Sequence, residues 1–153
     1  MSLAEAIVDC ADNYNVKSKT FKDPKAKSIS TYRVENSNAK NYEIIKIDGC
    51  VFKSDETKCD YAMRLIEEKK IFFIELKGSD NNKGLEQLYQ TIINTKKYFS
   101  SYKNQVRLIV SKAEAPRNLN QNLIAKIATL TGDVMNGKLK KFIKINNTYT
   151  EII

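Results

Sequence analysis

The sequence predicts an α/β domain of the α+β kind, in which a mixed central sheet is flanked by helices. Apolar runs rich in β-branched and aromatic residues, separated by turn residues, follow one another from position 29 to 77. Apolar residues at helical spacing come next, from about 81 to 100 and again from 119 to 130. A stretch that alternates apolar and polar residues, 105–112, lies between these helical segments. With 153 residues, 42% of them apolar, the chain is expected to form one domain over residues 1–153.

The first half of the chain is expected to supply a helix and then the first strands of the sheet. Leu3, Ile7 and Val8 share one side of an amphipathic helix whose other side carries acids. Polar, glycine-containing and proline-containing segments mark the breaks that follow. In chain order the expected elements are a helix over 3–14, a basic loop or flexible arm over 15–28, a strand over 29–33, a strand over 42–52 bent at Asp48-Gly49, a strand over 58–66, a turn over 67–70 and a strand ending at Gly78.

The second half is expected to alternate helices and strands. Residues 79–82 are Ser, Asp, Asn and Asn, all of which favour the position that caps a helix N-terminus. The helix that they begin should run to about Ser100, and a strand over 105–112 should follow it. A second helix over 119–130 is closed by Gly132, and residues 139–153 are expected to form a terminal hairpin that turns at Asn146-Asn147.

The charge of the chain favours a polyanionic partner, with nucleic acid first. The formal net charge is +8 and the isoelectric point is near 9.3. An alternative is that a chain rich in Lys, Asn and Ile reflects an AT-rich genome, so the charge is supporting evidence only. The candidate phosphate contacts are Lys17, Lys19, Lys22, Lys25, Lys27, Lys140 and Lys141.

Cysteine and histidine usage excludes several kinds of site. The chain contains no histidine, which removes Ser-His and Cys-His nucleophiles and histidine metal ligands. Cys10, Cys50 and Cys59 form no C-x-x-C pair, so a structural zinc site is not expected. We expect reduced, mostly buried thiols in a cytoplasmic protein. No apolar run approaches the roughly 20 residues that a membrane span requires, so no membrane partner is expected.

The strongest candidate for a site lies at the end of the strand that precedes Gly78. Side chains alternate along a strand, so Glu75 and Lys77 project on the same side. The pattern of an acid, any residue and lysine occurs five times in the chain, but only this copy ends a buried strand. The pair is therefore either an ion pair at a strand end or part of a functional site.

A second carboxylate decides in favour of a site. If the strands before and after the bond between Glu68 and Lys69 form a hairpin with a two- or four-residue loop centred there, Asp60 lies opposite Lys77 and Ala62 opposite Glu75. Asp60, Glu75 and Lys77 then converge on one face. Two carboxylates suit Mg²⁺ or Mn²⁺, and a neighbouring lysine suits phosphodiester hydrolysis. Asp48 is a rival for the role of Asp60.

These residues resemble the PD-(D/E)XK nuclease superfamily. The resemblance rests on Asp60, fourteen intervening residues, Glu75-Leu76-Lys77-Gly78 and a following helix with Gln87, and it covers mainly residues 44–112. It implies a restriction-endonuclease-like core of a helix, three antiparallel strands, a helix and a further strand. Cys59 stands where the family name has proline.

The resemblance also implies roles for individual residues. Asp60 and Glu75 would hold the metal, with the Leu76 carbonyl as a further ligand, while Lys77 would assist the attacking water. Gln87 would face the site, and a first-helix acid, for which Glu5 is the candidate with Asp9 behind it, would add a metal ligand.

The expected function is a metal-dependent endonuclease that acts on DNA, for which a two-fold homodimer would suit cleavage of both strands. Two alternatives are a catalytically silent nucleic-acid-binding module on the same fold and a basic interaction or inhibitor subunit.

Overall fold

Three helices and nine strands make up the computed structural model, which describes residues 1–25, 28–111, 118–132, 143–145 and 148–153. The helices are α1 (Leu3–Asp9), α2 (Asn81–Thr95) and α3 (Gln121–Thr131). The strands are β1 (Ala11–Tyr14), β2 (Ser18–Lys22), β3 (Thr31–Glu35), β4 (Tyr42–Lys46), β5 (Tyr61–Leu65), β6 (Lys70–Lys77), β7 (Lys103–Val110), β8 (Ile143–Ile145) and β9 (Thr148–Ile152).

The strands form a large mixed sheet and a small one. The large sheet has the order β1-β4-β5-β6-β7-β8, in which the first four strands are antiparallel neighbours and the last two pairings are parallel. The small sheet has the order β2-β3-β9. The mixed sheet with its helices confirms the predicted α+β class. No helix within the described ranges combines the length and the apolar character that crossing a membrane requires.

The strand β6 separates two hydrophobic cores because its side chains alternate between the faces of the sheet. Ile71 and Phe73 pack in the core that contains residues of α2 and α3. Phe72 and Ile74 pack in the opposite core, which contains Tyr32 of β3 and further residues of the small sheet. The domain therefore has three layers, and the acidic end of β6 lies on the helical side.

The N-terminal prediction is wrong in two places. The helix α1 ends at Asp9, and residues 11–14 form β1 because they pair with β4 in the register Ala11↔Ile45. Part of the expected flexible arm forms β2, which pairs with β3 from Ser18↔Glu35 to Lys22↔Thr31. In both places pairing with a distant strand outweighs the local pattern.

The predicted C-terminal hairpin is also wrong. The strand β8 pairs in parallel with β7 at the edge of the large sheet, whereas β9 pairs in parallel with β3 in the small sheet. The two strands are therefore neighbours in sequence but belong to different sheets. The expected turn residues, Asn146 and Asn147, lie outside the described part of the chain.

A disulfide bond joins Cys10 to Cys50, so the expectation of reduced thiols is wrong for these two residues. The pairing of β1 with β4 brings the end of α1 beside the turn that follows β4, and the amide of Lys46 donates to the carbonyl of Cys10 at 3.0 Å. The bond links positions 40 residues apart. Cys59 is free and buried, as expected.

Candidate functional site

The hairpin of β5 and β6 brings Asp60 directly beside Glu75. Tyr61 pairs with Ile74, so the next position along the ladder places Asp60 opposite Glu75. The register differs by two residues from the predicted one, which put Asp60 opposite Lys77. Leu65 pairs with Lys70 around a four-residue loop that is centred one bond earlier than expected. Because the difference is even, the prediction that Asp60, Glu75 and Lys77 share one face is confirmed.

The two carboxylates are buried and differently bonded. Asp60 and Glu75 are only 6% and 1% exposed. Asp60 Oδ2 accepts a hydrogen bond from the amide of Leu76 at 2.9 Å. Glu75 Oε2 lies 3.3 Å from Lys77 Nζ, whereas Glu75 Oε1 is buried and has no hydrogen-bond partner. Glu75 and Lys77 therefore do form an ion pair, the alternative to a functional site, and this pair leaves one oxygen of Glu75 unsatisfied.

Burial disfavours the charged forms of both acids. Burial raises the pKa of Asp60 from 3.8 to about 6, against the stabilising hydrogen bond from Leu76. Burial also raises the pKa of Glu75 well above its ordinary value, and the charge of Asp60 raises it further. Lys77 opposes this effect only in part. A cation bound between the two carboxylates would relieve the repulsion.

The helix α2 begins beside these carboxylates and carries Gln87 towards them. The side chain of Asp80 caps the helix by accepting from the amide of Lys83 at 3.1 Å. Gly84 lets the helix lie close to β7, since a Cβ there would meet a methyl of Leu108 at 2.5 Å. Gln87 Nε2 donates to the carbonyl of Lys58 at 3.0 Å, and Gln87 Oε1 is buried without a partner.

These groups open into a cleft of about 420 Å³. Its lining is mostly polar, and acids outnumber bases there. The lining residues are Asp23, Asp48, Asp60, Glu75, Asp80, Lys25, Lys77, Lys83, Ser28, Leu76, Gly78, Ser79 and Gln87. The side chain of Leu76 packs in the opposite core, so the backbone of this residue faces the cleft.

Asp48, the rival of Asp60, lies in the same cleft but already has cationic partners. Its Oδ2 is 3.0 Å from Lys25 Nζ, and its Oδ1 is 3.8 Å from Lys58 Nζ. The carboxylate of Asp60 has no lysine within ion-pair distance in the described structure. The geometry therefore favours Asp60 over Asp48 as a partner for an added cation.

The predicted first-helix ligand, Glu5, lies away from the cleft. Glu5 is exposed in the first turn of α1, where it accepts from the hydroxyl of Ser2, and it does not line the cleft. We therefore do not retain it as a ligand.

The candidate phosphate contacts among the described residues do not share one face. Lys17, Lys19 and Lys22 are exposed, and strand alternation puts Lys19 and Lys22 on opposite faces of β2. Lys25 does reach the cleft. Lys27, Lys140 and Lys141 fall outside the described residues.

Sequence reasoning missed several residues that line the cleft, among them Ser28 and Lys83. Lys83 lies in the first turn of the helix that follows the acidic strand, so the order of strand and helix could have indicated it. Ser28 is carried by the distant segment before β3, for which no local signal exists. No group of three or more Cys, His, Asp or Glu side chains in the described ranges is arranged to hold a metal, so the acidic pair would need backbone or water ligands.

Comparisons with known proteins leave the family of this chain open. No family model matches the sequence, and no solved structure matches it. The chain is similar to "Probable polyketide synthase 15" of Dictyostelium discoideum, with 27% identity over 121 residues. The match covers 79% of this chain but spans only 3% of the length of that relative.

Proposed function

We propose that this protein is a metal-dependent nuclease that hydrolyses phosphodiester bonds, with DNA as its substrate. The observation that carries the proposal is the pair of buried carboxylates, Asp60 and Glu75, which lie opposite each other where β5 begins and β6 ends. Lys77 lies on the same face, 3.3 Å from Glu75 Oε2. Two acids and a base in a water-accessible cleft suit the hydrolysis of a polyanion.

The strand order around the cleft supports a PD-(D/E)XK nuclease with a restriction-endonuclease-like fold. That resemblance implies three antiparallel strands, a helix and a further strand. The strands β4, β5 and β6 are antiparallel neighbours, α2 follows, and β7 pairs in parallel with β6. The carboxylates lie where two strands of this unit end beside α2, which is where the resemblance implies a catalytic centre.

The side chains of the cleft fit Mg²⁺ or Mn²⁺. Both ions prefer oxygen ligands, and Mg²⁺ is commonly held by one or two carboxylates together with several waters. Asp60 and Glu75 would hold the ion, and Glu75 Oε1 offers a buried oxygen without a partner. The backbone carbonyl of Leu76 is a further candidate ligand. When bound, the ion would act as a Lewis acid on the scissile phosphate and lower the pKa of a water ligand.

The other residues of the cleft would position the reactants. The Leu76 amide fixes the orientation of Asp60 through the hydrogen bond to Oδ2. Lys77 would orient the attacking water and offset the negative charge that builds up on the phosphate. Lys25 and Lys83, which line the same cleft, would contact flanking phosphates. Gln87 Oε1 is placed to accept a hydrogen bond from a water in the cleft.

Cleavage of plasmid and linear DNA with Mg²⁺, with Mn²⁺ and with a chelator tests the proposal. We expect cleavage only with metal, and a loss of at least about 100-fold in Lys77→Met, the scale of losing one electrostatic contact to the transition state. Lys97→Met, an exposed lysine beyond the other end of α2, is the matched control and should retain activity.

Three results would contradict the nuclease proposal or the site assigned to it. Unchanged cleavage by Lys77→Met would remove the assigned site. Salt-sensitive DNA binding without cleavage under any metal condition would instead select a silent binding module, and absence of binding at low salt would favour an interaction protein.

A further inference from the structure

The backbone segment that delivers Asp60 to the cleft is held at two consecutive residues by α2. Gln87 Nε2 donates to the carbonyl of Lys58 at 3.0 Å. One turn further along the helix, Thr91 Oγ1 accepts from the amide of Cys59 at 2.8 Å. Both bonds therefore lie immediately before Asp60 in the chain.

We infer that Thr91 is a positioning residue that fixes Asp60 opposite Glu75. The inference deepens the proposed function, because it concerns the same carboxylate pair. Thr91 is fully buried and lies outside the lining of the cleft, so it acts through Cys59 and does not contact a bound ion or substrate.

The hydroxyl of Thr91 is fully committed to this arrangement. It donates its single proton to the carbonyl of Gln87, one turn earlier in the helix, at 2.8 Å. That bond directs a lone pair of the oxygen towards the amide of Cys59. An apolar side chain of the same shape would leave this amide buried and without its partner. The loss favours movement of the residues that precede β5 away from α2.

Movement at Cys59 would be passed directly to Asp60. The carbonyl of Asp60 accepts from the amide of Ile47 at 3.0 Å, and its carboxylate accepts from the amide of Leu76 at 2.9 Å. These bonds fix Asp60 against the residue that follows β4 and against β6, while Thr91 fixes the preceding residue against the helix. Loss of the hydrogen bond between Thr91 and Cys59 should let the Asp60 carboxylate move relative to Glu75.

The chain offers a matched control in Thr95. This residue is also fully buried on α2, and its hydroxyl donates to the carbonyl of Thr91 at 2.7 Å. It makes the same kind of intrahelical bond as Thr91 but has no bond to the segment before Asp60 in the described structure. Thr91→Val and Thr95→Val thus each remove one buried hydroxyl from the same helix, but only Thr91→Val removes the hydrogen bond to the amide of Cys59.

The test compares Thr91→Val, Thr91→Ser and Thr95→Val with the parent protein. Mn²⁺ titration should give a dissociation constant raised by roughly 10- to 100-fold in Thr91→Val, the usual effect of losing a partner that orients a metal ligand. Thr91→Ser keeps the hydroxyl and should rescue binding, while Thr95→Val should bind as the parent does. Thermal melts establish that each variant is folded.

Amide hydrogen exchange, measured without metal, separates this inference from the nuclease proposal. We expect the amides of Cys59 and Leu76 to exchange at least about tenfold faster in Thr91→Val than in Thr95→Val, because the bonds that protect them are lost or loosened. If the parent binds no Mn²⁺ but this difference is present, the positioning role stands and the metal site fails. If Thr91→Val and Thr95→Val behave alike in exchange, the positioning role is overturned.

Discussion

Replacing Asp60 with asparagine is expected to stabilise the metal-free protein at pH 8 and to abolish metal-dependent cleavage. The variant keeps an oxygen that can accept from the Leu76 amide but removes a carboxylate whose charged form is disfavoured by burial. The proposed reaction needs that same charge to hold the ion. Stability and activity should therefore change in opposite directions, which an ordinary structural acid would not produce.

The pH dependence of this gain has a definite sign. The pKa of Asp60 is raised from 3.8 to about 6 in the folded protein, so the folded state binds the proton more tightly than the unfolded chain. The free energy of unfolding of the parent protein should fall as the pH rises from about 4 to about 6, and stay reduced above that. The difference corresponds to up to about 3 kcal/mol.

Urea unfolding of both proteins from pH 4 to pH 8, with a chelator present, measures this effect. Asp60→Asn should match the parent near pH 4 and exceed it increasingly towards pH 6. Glu75→Gln serves as a second variant and should behave in the same way, since burial also raises the pKa of Glu75. A variant that loses stability at pH 8 would show that the pair is a favourable structural element without metal.

Replacing Glu151 with alanine is expected to cause a large loss of stability although this residue lies outside the cleft. Glu151 Oε1 accepts from Arg107 Nε at 2.8 Å and from the hydroxyl of Tyr32 at 3.0 Å. The side chains of Arg107 and Glu151 are only 15% and 10% exposed. The bond with Arg107 joins β9 of the small sheet to β7 of the large one. Removing Glu151 leaves the buried charge of Arg107 without its partner, which costs about 3–5 kcal/mol.

Two further variants make this prediction specific. Glu35→Ala breaks the ion pair with Arg33, which is also in the small sheet but is 44% and 40% exposed, and should cost less than about 1 kcal/mol. The double substitution Arg107→Met with Glu151→Leu removes both charges and should recover most of the loss. Chemical denaturation of the four proteins provides the comparison, and equal losses for Glu151→Ala and Glu35→Ala would contradict it.

The parts of the fold that were predicted correctly have strong local signals. The strand β6 follows a continuous apolar run, and α2 begins where Asp80 caps it. The helix α3 ends at Gly132, whose φ of 70° lies in the left-handed region that glycine tolerates. The convergence of Asp60, Glu75 and Lys77 follows from the two-residue period of strands together with an even number of residues in the loop between β5 and β6.

The parts that failed depend on contacts between distant residues. The pairing of β1 with β4, the separation of β8 and β9 into different sheets and the bond between Cys10 and Cys50 have no local signal. A disulfide is uncommon in a reducing cytoplasm, so it gives no support to the cytoplasmic location expected from the sequence.

The register error in the hairpin has a particular cause. Registers that differ by two residues place the same side chains on the same faces, so the apolar pattern cannot separate them. The conformation of the turn between β5 and β6 sets the register instead. Lys69 adopts a φ of 52°, and its amide donates to the carbonyl of Ile66 at 3.2 Å, which closes the loop one bond earlier than expected.

Crystals soaked in Mn²⁺ test the central claim most directly, because anomalous scattering locates the ion without reference to activity. We expect one peak between Asp60 and Glu75, within about 2.5 Å of an oxygen of each carboxylate. Asp60→Asn crystals should lose this peak under the same conditions. Absence of a peak at this pair with the ion in excess, or a peak at Asp48 in its place, would contradict the assignment.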